Sequence, residues 1–177
     1  MATAAIPTRT LVPVEELKDW LRIVGSEEDA LLAGLIRSAT ELCEQFTRLA
    51  LIEREVEQVL PARPVWTRLE QGPVRAILGV SALSADSEAA PLASGDYAVD
   101  IDAAGEGWVR ILSSGEARRV RVRYRAGLGA DWNAVPEPLR HGILRMAAHL
   151  YSHRDDGAAP PAAVAALWLP YRKLRLA

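Results

Sequence analysis

Leu31, Leu32, Leu35, Ile36, Ala39, Leu42, Cys43 and Phe46 return every three or four positions. That rhythm predicts an amphipathic helix running to about Thr47. A shorter helix is expected ahead of it. Pro13 suits a first helical turn, Glu15 and Glu16 suit the positive end of the dipole, and Leu17, Trp20, Leu21 and Val24 share one face. Gly25 should end this helix, with Ser26 as N-cap of the next and Asp29 three residues on, a capping-box variant with Asp in place of Glu. Two helices joined so closely should form a hairpin over residues 13–47 on a shared core.

From Leu51 the period shortens. Segments 51–60, 65–69, 74–84, 96–101, 107–112 and 118–125 are short, rich in Val, Ile and Leu, and separated by Gly, Pro, Ser or Asp. They read as strands. In the last of them Val120, Val122 and Tyr124 alternate with Arg119, Arg121, Arg123 and Arg125, which predicts one apolar and one cationic face. Residues 84–91 and 102–107 read as loops. Pro136 and Pro138 then start a long helix, over about 136–154, with Leu139, Ile143, Leu144, Ala147, Leu150 and Tyr151 on its apolar face. After an Ala/Pro linker a last segment carries Val164, Leu167, Trp168, Tyr171 and Leu174, and Pro170 should bend or end it.

The expected fold class is therefore α+β: N- and C-terminal helices forming a bundle, packed with a central, mostly antiparallel sheet. Residues 1–12 read as an extended arm, 13–157 as the main domain and 158–177 as a linker and tail. A chain of 177 residues can bury about 70% of its unfolded surface and needs no disulfide or metal to fold. Half of the residues are hydrophobic and a quarter charged, the balance of a soluble globular protein. A net charge of −2 gives no global pull toward nucleic acid or an anionic membrane, so any DNA contact must be local. The N-terminus does not read as a secretory signal, and no window approaches the ~20 apolar residues of a membrane span. A cytoplasmic site of synthesis is expected.

Cys43 is the single cysteine, which excludes an intrachain disulfide, and its place on an apolar stripe suits an inert buried thiol. His149 and His153 are four apart, a spacing that can hold a metal, with His141 roughly on the same side. Leu150 occupies the place where a zinc protease has glutamate, so a surface or structural reading is preferred. Asp100/Asp102 and Asp155/Asp156 sit beside turn residues, where aspartate serves the backbone. Gly127-Leu128-Gly129 lacks the third glycine of a dinucleotide loop, and there is neither a phosphate-binding loop nor a nucleophilic-serine turn. No catalytic residue, metal site or cofactor is expected.

Two features stand out. Arg118, Arg119, Arg121, Arg123 and Arg125 place five cations in eight residues with no acid among them. They form either a solvated sheet face balanced by acids of neighbouring strands or another subunit, or a surface held near phosphates or an acidic partner. No recognition helix or stacking platform accompanies them, so base readout is not expected. The second feature is the tail: Leu167, Trp168, Leu169, Pro170, Tyr171, Arg172, Lys173 and Arg175 combine aromatics with cations. Such a segment either packs back on its own core or anchors a partner.

Pro13-Val14-Glu15-Glu16-Leu17-Lys18-Asp19-Trp20-Leu21-Arg22, the acidic turn Glu27-Glu28-Asp29, Leu31-Leu32, Leu35-Ile36 and Ala39, and the exit Thr47-Arg48-Leu49-Ala50-Leu51-Ile52 resemble the gp6-like head–tail connectors of long-tailed bacteriophages and phage-like gene transfer particles. Val122-Arg123-Tyr124-Arg125-Ala126-Gly127, Val135-Pro136-Glu137-Pro138-Leu139-Arg140, His149-Leu150-Tyr151 and Leu167-Trp168-Leu169-Pro170-Tyr171-Arg172 are similar to the later elements of that family. Residues 61–118 follow no pattern of the family. The resemblance implies a structural adaptor, assembled in a bacterial cytoplasm, that joins a ring, commonly of twelve copies, beneath a portal. Implied partners are the portal protein, a neck or tail completion protein and, transiently, DNA in the channel, with no membrane. It also implies a portal contact by about residues 162–177. The rival readings are a cytoplasmic oligomeric protein-binding module and a small hydrolase.

Overall fold

The computed structural model describes residues 2–4, 12–84, 88–153 and 159–173. The fold is α+β, and the chain divides into two compact units. One is built from Glu53–Leu128 together with a short N-terminal strand. The other is made of the segments on either side, up to Ile52 and from Gly129 onward.

The second unit is helical. It comprises α1 (Val14–Leu21), α2 (Asp29–Thr47), α3 (Glu137–Ser152) and α4 (Ala162–Trp168), with short 3₁₀ turns at Trp132–Ala134 and Leu169–Tyr171. Leu32, Ile36, Ala39 and Cys43 of α2 are buried, as their spacing demands, and meet Leu139, Ile143, Met146 and Ala147 of α3 in the core. Three expectations need correction here. α1 ends at Leu21, four residues before Gly25, because Arg22 takes the left-handed conformation (φ 57°) and the chain closes with Arg22 and Ile23 N–H donating to Asp19 and Lys18 carbonyls. Val24 therefore leaves the apolar face and is 98% exposed, and Trp20 is 49% exposed. Ser26 makes no side-chain cap: Glu28 occupies the N-cap position, and the Asp29 carboxylate instead accepts from Lys18 Nζ at 2.9 Å, tying the two helices together. On α3, Leu144, Leu150 and Tyr151 are only half-buried, and Gly142 and Met146 fill the core positions between them. Tyr151 Oη donates to Glu28 Oε2 at 2.7 Å.

The other unit holds the strands: β1 (Ala2–Ala4), β2 (Arg54–Pro61), β3 (Thr67–Arg68), β4 (Val74–Leu83), β5 (Ala89–Pro91), β6 (Tyr97–Ile101), β7 (Gly107–Ile111) and β8 (Arg119–Ala126). All pairings are antiparallel. The larger sheet has the order β1-β2-β8-β4-β5 and the smaller β3-β7-β6. β5 corrects the reading of 84–91 as loop: Ala89, Ala90 and Pro91 pair with Leu83, Ala82 and Ser81. Ala-Ala-Pro has little strand propensity, and the pairing is supplied by the neighbour. Val56, Leu60, Val80, Val120, Val122 and Tyr124 line the inner side of the large sheet, and Val109 and Ile111 that of the small one. Gly107 lets them close up, since a Cβ there would stand 2.7 Å from Val74 Cγ2 and 2.9 Å from Leu69 Cδ1. Gln58 is buried in this core, accepting from Tyr124 Oη (3.2 Å) and from Glu70 N (2.9 Å).

Candidate interaction surfaces

β8 is the central strand of the large sheet, and its alternation sends Val120, Val122, Tyr124 and Ala126 inward and the arginines outward. Register decides what each arginine meets. On β2, Glu55 stands opposite Arg125 and Glu57 opposite Arg123, whereas Val59 faces Arg121 and Pro61 faces Arg119. On β4, the opposing residues are Ala76, Gly79, Ser81 and Leu83. Arg125 reaches Glu53 at 3.3 Å and Arg121 leans diagonally to Glu57 at 3.6 Å. Among the described residues Arg118, Arg119 and Arg123 form no ion pair. Glu53 and Glu57 thus compensate Arg125 and, weakly, Arg121, and among the described residues the excess charge lies on Arg118, Arg119 and Arg123. Arg118 and Arg119 also border a groove of about 680 Å³, whose wall includes Glu88, Glu116 and Leu83.

The tail divides between core and surface. α4 brings Val164 and Trp168 inward, and Trp168 is 0% exposed. The indole fills the space left by Gly142 on α3, where a Cβ would overlap Nε1 and stand 2.8 Å from Cδ1. Phe46 of α2 lies against it with ring centroids 5.8 Å apart. Arg172 stacks its guanidinium 5.3 Å from the Phe46 centroid, and Lys173 N donates to Thr47 O at 3.0 Å. Trp168 is therefore a core residue of the helical unit. Leu169, Pro170 and Arg172 are exposed, while Leu167, Tyr171 and Lys173 are half-buried. Arg175 lies outside the described residues.

The remaining candidates do not converge. His149 and His153 stack on each other at 4.4 Å, and His141 meets the edge of Trp20 at 5.4 Å. Among the described residues no group of three His, Cys, Asp or Glu could hold a metal ion. Asp102 Oδ1 accepts from Ala104 N (2.9 Å) and Glu106 N (2.8 Å), the backbone service expected of a turn aspartate. Asp155 and Asp156 lie outside the described residues. Burial pushes the Cys43 thiol up, away from a reactive thiolate. No described helix is long and apolar enough to cross a membrane.

Sequence periodicity missed one surface. Trp20, Val24 and Leu31 were assigned to helix faces directed at the core, yet Leu31 is 42% exposed and the other two more so. The acids Glu16, Asp19 and Glu27 on the same stretch of α1 and the α1–α2 turn are exposed as well. The left-handed residue that redirects the chain at Arg22 carries no propensity signal.

Residues 12–82 match the family model described as phage gp6-like head-tail connector protein. Solved structures extend the likeness over the whole chain. A chain in the neck of an empty gene transfer agent (GTA) particle computed with C6 symmetry is 29% identical, with 100% of this chain and 97% of that one covered at a TM-score of 0.81. The chain is thus similar to gp6-like head–tail connectors over residues 12–82 and to a GTA neck chain over its whole length. It also matches a chain in the neck of a native GTA particle computed with C12 symmetry (TM-score 0.79) and one in the virion of a native GTA particle (0.78). Identity and coverage are the same in both cases. No curated protein matches it.

Proposed function

We propose that this chain is a gp6-like head–tail connector, a structural subunit of the neck of a phage or phage-like particle, where copies form a ring that extends the DNA channel beneath the portal and docks neck or tail components. The observation that supports this most is the likeness to GTA neck chains over nearly the full length of both partners, at 29% identity. The particles in which those chains sit were computed with sixfold and twelvefold symmetry, which suits a ring of this connector as well. The work is binding, not bond making. Ring closure sets one face of each protomer against a different face of the next, and the channel passes DNA without reading it.

Within that reading the exposed part of the tail, Leu169, Pro170 and Arg172, is the portal contact, held in place by Trp168 inside the helical unit. The arginine face lies at a subunit boundary or toward the channel. The experiment is removal of the gene from the particle producer: DNA-filled heads without tails should accumulate, and the connector should be found by mass spectrometry in complete particles only. Complete, tailed particles made at unchanged yield without the connector would refute the assignment. An unrelated cytoplasmic protein-binding module, the rival reading, would leave particle morphology untouched.

A further inference from the structure

Two surfaces of this chain carry unspent charge of opposite sign. The helical hairpin 13–47 contains eight acids and three bases, a formal charge of −5. Glu16, Asp19 and Glu27 are exposed and form no ion pair among the described residues. Near them in sequence stand Trp20, half-exposed with its edge against His141, and Val24, 98% exposed. The outer face of β8 shows the reciprocal composition. Among the described residues Arg119 and Arg123 form no ion pair, Arg121 has a long one at 3.6 Å, and apolar Val59 and Pro61 stand beside Arg121 and Arg119. The opposite flank, from Gly79 and Ser81 of β4, is low and leaves the arginines accessible from that side.

We propose that the surface of Asp19, Trp20, Val24 and Glu27 docks on the outer face of β8 in a second copy of this chain, with Arg119, Arg121 and Arg123 as its counterparts. The proposal rests on the ring reading above, which requires two unlike faces that fit each other, and it names them. Trp20 and Val24 would cover Val59 and Pro61, carboxylates would meet the arginines around them, and an indole beside guanidinium groups adds cation–π attraction. DNA is the weaker occupant of this face. A phosphate backbone offers nothing apolar to cover Val59 and Pro61.

The test uses full-length protein whose assembly is first measured by native mass spectrometry. E27R with D19R should raise the protomer concentration for half-assembly at least about tenfold, and R119E with R121E should do the same. Because each copy carries both faces, the quadruple variant restores opposite signs and should assemble like the parent. A single E27C, R121C chain should give a ladder of disulfide-linked multimers under oxidation, while either cysteine alone should not; Cys43 is buried and stays out of the reaction. Circular dichroism confirms that each variant is folded. Rings of parental mass that give no ladder and tolerate either reversal would overturn the proposal while leaving the ring reading intact, as would rings of normal mass that only lose DNA retention. A parent that stays monomeric at every concentration would count against the ring itself.

Discussion

Gly142 offers the sharpest check of how the tail is held. In the interior of an exposed helix, Gly→Ala stabilises by up to about 1 kcal/mol, because alanine loses less backbone entropy. In α3 the same change adds a Cβ inside the Trp168 indole, a rigid ring backed by Phe46. Forcing a methyl into a filled core costs about 1–3 kcal/mol, and complete release of the indole caps the loss at the ~3–5 kcal/mol of a Trp→Ala truncation. G142A should therefore destabilise the protein by about 1–3 kcal/mol despite its better helix propensity. In a W168A background the clash is gone, and G142A should be neutral or stabilising by up to about 1 kcal/mol. The sign change gives a coupling energy of about 2 kcal/mol. Urea unfolding followed at 222 nm on the four proteins measures it, with an unchanged urea slope as the condition for comparing them. If G142A stabilises the parent as much as it stabilises W168A, the indole does not occupy that space and the packing described for α4 is wrong.

Three further outcomes follow from particular contacts. Burial first, with the nearby Glu70 charge adding to it against a hydrogen bond from Gln71 N, pushes the Tyr124 phenol up to about 12. Its native contacts are thus fully present below the unfolded value near pH 10 and are lost as pH rises through about 12. Absorbance at 295 nm should show one tyrosine ionising late, a step that Y124F removes at a stability cost of about 1 kcal/mol, because Gln58 keeps its bond from Glu70 N and Gln71 N loses its acceptor; tyrosines titrating together near pH 10 would contradict this. Asp131 Oδ1 caps the turn before α3 by accepting from Asn133 N (2.9 Å) and Ala134 N (3.3 Å), so D131A should cost about 1 kcal/mol in denaturant melts and D131N much less. In the tail, L169S should leave the unfolding free energy within about 0.5 kcal/mol of the parent while lowering the yield of tailed particles; truncation after Pro161 should instead lower stability by several kcal/mol, because Val164 and Trp168 leave the core.

How far these features could be read in advance depends on the range of the interaction. α2 was legible because its seam repeats over four turns, and the two faces of β8 because Val and Arg alternate there without exception. β5 was not, since a three-residue edge segment of Ala and Pro owes its conformation to β4 alone. The end of α1 was missed for a local reason of another kind: a left-handed arginine costs only about 1–2 kcal/mol, and two terminal hydrogen bonds offset it. Trp168 was undecidable from its own neighbourhood. Its aromatic-cationic context is equally that of an interface anchor, and only the glycine at 142, remote in sequence and unremarkable in a helix, marks the place that receives it.

The arginine stripe shows why composition alone could not choose between its two readings: register gives one part of the strand facing acids and the other part apolar neighbours. Antiparallel pairing puts Glu55 and Glu57 against Arg125 and Arg123, and the alternation on β2 then turns apolar, giving Val59 and Pro61 against Arg121 and Arg119. One end is a self-balanced sheet face, where opposite charges across strands contribute some tenths of a kcal/mol each. The other end keeps its charge and sits beside apolar side chains instead of acids. A purely solvated face gains nothing from that second arrangement, because the arginines repel one another and Val59 stays wet. It becomes favourable once something both acidic and apolar covers it, which is the composition that α1 and the α1–α2 turn leave exposed. In the proposed ring, the charge left over within one protomer is what the neighbouring protomer uses.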